Sequence, residues 1–264
     1  MTTAMLPHDT DRATDHAADA PELDVAGFAN RERYSDHARA TLAELERRTS
    51  DVLREVQTLA GWRAATDLDV PNATVKAIVR EIFLSVCQYQ AYTTEAGMHW
   101  LGRLPKSEHR LMRSLVMHKA EEAEHGEWAR RDYLSLGGDA ARLAAAPTPA
   151  TFAMAAVWWR MATSEHAFGY LGAEYLFEYL TARVCQEILP TFQARRMSAE
   201  GLGFLVEHAT EDVKHTNLIS HHVLDVVTRH PEAADAMLRC FEYFRGVYPL
   251  PVWDEAMGRG LTTE

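Results

Sequence analysis

Positive charge is scarce in this chain: 27 lysines and arginines stand against 38 aspartates and glutamates, a formal net charge of −11. Nucleic acids and anionic membranes are recognised by clustered basic residues, so neither is expected as a partner. Cysteine is scarcer still. Cys87, Cys185 and Cys240 lie far apart and leave an odd count, which argues against a disulfide framework and against a thiolate metal site. Long apolar runs are missing too. The longest, from Thr151 to Trp159, stops at Arg160, well short of the ~20 residues that a membrane-spanning helix needs. The N-terminus lacks the basic-then-apolar order of a secretory signal. A cytoplasmic protein is expected. Strand signals are also weak, with no Asn-Gly or Asp-Gly turn and no clean alternation of polar and apolar residues.

What remains is helical. Ten prolines leave proline-free stretches between positions 71 and 231, each long enough for one long helix and its connector. Helices are expected over about 31–60, 72–103, 107–136, 150–188, 198–229 and 232–246. Residues 1–30 carry six acids and one arginine with no apolar period and read as a disordered acidic tail. Residues 31–250 read as one all-α domain, and 251–264 as a C-terminal tail.

Chemistry concentrates in three places. His208, Asp212 and His215 stand at i, i+4 and i+7; at about 100° per residue they fall within about 60° of arc on one helix face. Imidazole and carboxylate together suit iron, manganese, zinc or nickel. Glu122 and His125, at i and i+3, form the Glu-x-x-His pair from which carboxylate-bridged di-metal sites in helical bundles are made, and Asp212 with His215 is its counterpart. His118, Glu121 and Glu124 flank the first pair, the two glutamates reading as a solvated face. Glu178 lies among Leu171, Tyr175, Leu176, Phe177 and Leu180. A carboxylate in that setting must be paired, protonated or metal-bound, and either a salt bridge to Arg183 or ligation would satisfy it. The bundle rule asks for one more carboxylate from the helix at 72–103. The position in register is Gln88, with Glu81 and Glu95 seven residues to either side. Gln88 is either a neutral ligand or a polar core residue.

Gln88, Glu122-x-x-His125, Gly172-x-x-Tyr175-x-x-Glu178 and His208-x-x-x-Asp212-x-x-His215, in that order, resemble the heme-oxygenase-like diiron oxidases and oxygenases over about residues 75–225. The resemblance implies a heme-oxygenase-like bundle of six to seven helices. It also implies two Fe(II) ions, O2 as co-substrate, and oxidation of a small amine, amino acid or fatty acid, often in natural-product biosynthesis. By the same resemblance Glu122, His125, Glu178, His208, Asp212 and His215 are iron ligands, with Glu122 a bridging or mobile carboxylate. Gln88 stands where such proteins usually carry a carboxylate, which implies a weak second iron site. Residue types alone admit Mn as well as Fe. The reading leaves room for an external electron donor and for a homodimer. Two rivals are a ferritin-like diiron protein, for which His208 is superfluous, and a metal-free binding module or cofactorless enzyme on the same fold.

Overall fold

The computed structural model describes residues 33–197 and 201–262; the expected tail at 1–30 lies outside the described residues. Among those described, the structure is helical and contains no strand. The helices are α1 (Asp36–Val56), α2 (Ala60–Thr66), α3 (Asn72–Leu101), α4 (His109–Glu122), α5 (His125–Ser135), α6 (Ala140–Leu143), α7 (Pro149–Ser164), α8 (Tyr170–Ala194), α9 (Gly203–Arg229), α10 (Ala233–Arg245) and α11 (Leu250–Thr262).

Several helices start where local chemistry says they should. The Ser35 hydroxyl accepts from the Ala38 amide at the start of α1. At α7 the Thr148 hydroxyl accepts from the Thr151 amide, with Pro149 in the first turn, where its missing N–H is not needed. Other boundaries depend on distant residues. The expected helix at 150–188 is two, broken at 165–169. The Arg103 guanidinium at the end of α3 donates to the carbonyls of Ala162 and Glu165, and the Trp100 indole donates to that of Ala167. Carbonyls released by the break are thus satisfied by α3, a partner that local sequence does not reveal. The expected helix at 107–136 is likewise divided, at Ala123–Glu124. In contrast α8 runs through Pro190 to Ala194, anchored beyond the proline by buried Phe192.

The expected C-terminal tail at 251–264 is corrected: α11 is a packed helix that buries Val252, Trp253, Ala256, Met257 and Gly260 against α3 and α2. A side chain at Gly260 would collide with the Ile78 backbone, so the two helices approach as closely as glycine permits. At the centre, α8 and α9 pack along one another, with α1, α3, α5 and α10 around them. The polar cluster described next lies where α4, α5, α8 and α9 converge.

Candidate metal centre

Two groups of buried ligand-type side chains stand side by side. His118 and Glu122 from α4, Glu178 from α8 and His215 from α9 form the first; His125 from α5 with His208 and Asp212 from α9 forms the second. Within each group the donor atoms lie within 4.8 Å of one another. All seven residues are buried. His118 Nε2 is 2.9 Å from Glu178 Oε1, and His215 Nδ1 is 3.5 Å from both Glu178 Oε2 and Asp212 Oδ1. Glu122 Oε1 lies 3.2 Å from His125 Nδ1 and 3.2 Å from His215 Nδ1, which puts this one carboxylate between the groups.

The helix period explains the convergence. His208, Asp212 and His215 project from one stripe of α9, as their spacing requires. Glu122 closes α4 and His125 opens α5, so the turn between them separates two candidate ligands that a continuous helix would have kept on one stripe. His208 Nδ1 donates to the Phe204 carbonyl at 2.6 Å. That bond fixes the ring and leaves Nε2 for a metal, the usual way a protein selects the ligating nitrogen. Gln90 Nε2 donates to both the Glu122 carbonyl and Glu122 Oε2 at 3.3 Å.

The electrostatics fit cation binding. Burial and nearby His125 push the His208 pKa down to about 3, which keeps it a neutral imidazole. Burial and the Glu122 charge act to raise the Glu178 pKa, but His118 and His215 outweigh them and hold it at about 2. Burial also acts to raise Glu122, yet His125 and His215 bring it well below the usual carboxylate range. Asp212 goes the other way: burial, with Glu178 and Glu122 nearby, raises it well above that range. Burial lowers His215, but Asp212, Glu122 and Glu178 together lift it far above the ordinary histidine value. In the metal-free site the ionised carboxylates of Glu122 and Glu178 are thus balanced by protons held on His125, His215 and Asp212, which a bound cation would displace.

The donor atoms themselves test whether a metal fits. His118 Nε2, Glu122 Oε1, His125 Nδ1, Glu178 Oε1, Asp212 Oδ1 and His215 Nδ1 are buried without a hydrogen-bond partner. They are near enough to attract one another, but not in hydrogen-bonding geometry. Leaving a buried polar group without a hydrogen bond costs free energy, and the ion pairs these atoms make with one another at 2.9–3.5 Å offset that cost only in part. A pair of cations would satisfy them together. Two histidines and one carboxylate, the second group's composition, is the set used by non-heme Fe(II) oxygenases.

The residues expected from sequence fare unequally. Glu122, His125, Glu178, His208, Asp212 and His215 are brought together. Gln88 is not among them; its amide points toward the carbonyls of Arg142 and Ala145, both 3.5 Å away. Nor does α3 supply a carboxylate from elsewhere. Glu81 is held by Arg142 and Arg259, at 2.5 and 2.9 Å, and Glu95 is exposed. The contribution of α3 is Gln90, on the residue two places beyond the expected one and therefore about 200° round the helix. The candidate that sequence reasoning passed over is His118. Its signal was present: His118, Glu122 and His125 repeat the i, i+4, i+7 spacing of His208, Asp212 and His215.

Two openings reach this centre. The first is a narrow slot of about 80 Å³ between α2, α3, α8, α9 and α11, walled by residues such as Phe83, Val86, Phe177, Val184 and Trp253 and ending on Gln90, Glu122, Glu178, His208 and Asp212. No lysine or arginine lines it. The second is an open cleft on the other side, floored by His125 and His215.

An all-helical bundle with paired histidine and carboxylate groups in its core defines a class of metal-dependent helical proteins, and the comparisons place the chain within it. Residues 85–244 match the model of the iron-containing redox enzymes, and the chain belongs to that family. Its fold is heme-oxygenase-like. It is similar to a crystal structure from Shewanella denitrificans OS217, a domain of unknown function with a heme oxygenase-like fold, at 19% identity and a TM-score of 0.70, covering 81% of this chain and 91% of that one. It also resembles a TenA homolog from Pseudomonas syringae pv. tomato DC3000, at 13% identity and a TM-score of 0.63, covering 86% and 94%. No curated protein matches. No helix among the described residues is long and apolar enough to cross a membrane.

Proposed function

We propose that the protein is an O2-dependent non-heme diiron oxidase or oxygenase acting on a small, largely hydrocarbon substrate. The observation that carries this reading is a cluster of seven buried ligand-type residues in two groups, six of them with a donor atom that has no hydrogen-bond partner, bordering an apolar slot. His118, Glu122, Glu178 and His215 would hold one ion, and His125, His208 and Asp212 the other, with Glu122 between them. Ferrous ions there would supply electrons to O2 and so activate it to oxidise an organic bond.

The chain's own residues do the rest. Phe204 fixes His208 through its carbonyl, and Gln90 steadies Glu122. The slot excludes water and aligns a slender apolar body with the centre. Of an amine, an amino acid and a fatty acid, the amino acid fits worst, since its two charges meet no lysine or arginine in the slot and almost no polar surface beyond the ligands. A ferritin-like protein has no need of such a slot.

The test is anaerobic loading with Fe(II), metal analysis, then exposure to O2 with alkylamines and fatty acids of graded chain length while O2 consumption is followed. Two equivalents of iron and substrate-dependent consumption are expected; a protein that binds no iron sinks the reading. Val184 is half-buried on the slot wall, so Val184→Phe should fill the slot with little strain. Substrate-dependent O2 consumption should fall at least tenfold while iron content stays the same, and unchanged turnover would show that substrate binds elsewhere.

Metal binding should also release protons. His215 and Asp212 both have raised pKa values in the metal-free protein, so both hold protons that a metal must displace. Affinity should therefore rise with pH and fall in acid. Adding Fe(II) anaerobically to weakly buffered protein with a pH indicator measures the release directly, and an affinity independent of pH would contradict the protonation states.

A further inference from the structure

The cleft opposite the apolar slot measures about 420 Å³ and is lined by Met117, Ala120, Trp128 and four glutamates, Glu121, Glu124, Glu207 and Glu211, above the rings of His125 and His215. Each of these glutamates is the chain neighbour of a buried ligand: Glu121 of Glu122, Glu124 of His125, Glu207 of His208 and Glu211 of Asp212. Successive helix positions are about 100° apart, so where the ligand points inward its neighbour reaches the rim. Lys214 neutralises part of the charge by pairing with Glu211 at 2.7 Å. Four carboxylates and one ammonium still leave three negative charges around one opening.

Acidic rims are common on solvated helices; the floor distinguishes this one. His215 is 4% exposed, and its ring spans the wall between cleft and centre. Nε2 lies 3.1 Å from Glu121 Oε2 on the cleft side, while Nδ1 faces Glu122, Glu178 and Asp212 and has no hydrogen-bond partner. His125, 2% exposed, also has an unpartnered Nδ1 and stacks on Trp128, ring centroids 4.6 Å apart. The two openings therefore meet at one centre with opposite character. A hydrated dication moving along an apolar slot would shed its water with nothing in exchange until the end, which is prohibitive. At the cleft, carboxylates can replace that water one by one.

Resting on the diiron reading above, we propose that this cleft is the uptake port for the divalent metal: Glu124, Glu207 and Glu211 collect Fe(II) from solvent, and Glu121 passes it to the ligands behind His215. Substrate uses the slot and metal uses the cleft. Charge of one sign around a concave opening raises association rates by about 10 to 1,000-fold and makes them fall steeply with salt.

The test follows Fe(II) uptake by the metal-free full chain in anaerobic stopped flow, with a chromophoric ferrous chelator as competitor, at low and high salt. Glu124→Gln, Glu207→Gln and Glu211→Gln are combined in one variant; Glu121, which touches His215, is left in place. The port predicts uptake at least tenfold slower at low salt, a flattened salt dependence and the same final two equivalents of iron. Val184→Phe, which blocks the slot, should take up iron at the wild-type rate. An unchanged rate in the triple variant, or slowed uptake in Val184→Phe, overturns the port. A lower final stoichiometry in the triple variant also overturns it, by making the rim part of the binding site. If the wild-type protein takes up no iron, the diiron reading fails and the port with it, an outcome distinct from iron uptake that ignores the rim.

Discussion

His118→Ala and His208→Ala are each expected to bind one ferrous ion where the wild-type protein binds two, and to lose O2 consumption. The two variants should fail at different sites. His118 belongs to the group completed by Glu122, Glu178 and His215, and His208 to the group completed by His125 and Asp212. Removing an imidazole takes away a neutral donor that the surrounding carboxylates cannot replace without adding charge. Even a residue that only orients a ligand costs 10–100-fold in metal affinity when removed, so loss of the ligand should cost at least about a hundredfold. Because Glu122 stands between the groups, its loss should weaken both ions, and Glu122→Ala is expected to be the most severe single change.

Anaerobic titration with metal analysis reads this out directly, and helical content supplies the control for folding. The long helices rest on apolar packing, with Phe83, Trp158, Tyr170, Phe241 and Phe244 buried away from metal contact, so circular dichroism should be nearly unchanged. Two tightly bound ions in His118→Ala would show that this histidine is only an electrostatic partner of Glu178. The six candidate ligands expected from sequence would then stand alone.

What sequence reveals and what it hides divide along physical lines. Candidate ligands on one helix are legible because the helix period is fixed: His208, Asp212 and His215 need only counting. Glu178 is legible because a carboxylate among Tyr175, Leu176 and Phe177 has few ways to be stable. Gln88 fails for the opposite reason. Its assignment required knowing the rotation of α3 about its own axis, which tertiary packing sets, and a two-residue difference turns the side chain from the centre to the carbonyls of Arg142 and Ala145. The break between α7 and α8 is hidden in the same way, because the groups that stabilise it, Trp100 and Arg103, lie some sixty residues away. Glu174 shows both sides. It lies in the same apolar stretch as Glu178, but its partner, Lys119 at 2.8 Å, comes from α4 and could not be read from α8.

Ending the chain after Pro249 should unfold the protein or leave it aggregation-prone. By composition the last residues look dispensable, with glycines at 258 and 260 and no acidic or basic run. In the fold they are a helix whose buried Val252, Trp253 and Met257 cover α3 and α2, and Trp253 and Met257 also wall the apolar slot. Burying one large apolar side chain contributes about 1.5–3 kcal/mol, so these three account for roughly 4.5–9 kcal/mol, against a typical domain stability of about 5–15 kcal/mol. The loss extends further. Arg259, paired with Glu81 at 2.9 Å, would leave with the helix, so a carboxylate that is 1% exposed would keep Arg142 alone. A milder probe separates packing from length. Gly260→Val keeps the whole chain but drives a side chain into the Ile78 backbone, where even a Cβ would lie 2.4 Å from the Ile78 Cα. Backbone cannot yield as a side-chain tip can, so α11 must move away from α3, and a fall in melting temperature of at least about 5 °C is expected for a loss of about 2 kcal/mol. Thermal denaturation of both variants in the metal-free state measures this without interference from ligand loss. A truncated protein that melts at the wild-type temperature would restore the tail reading and leave α11 as a passive cover on α3.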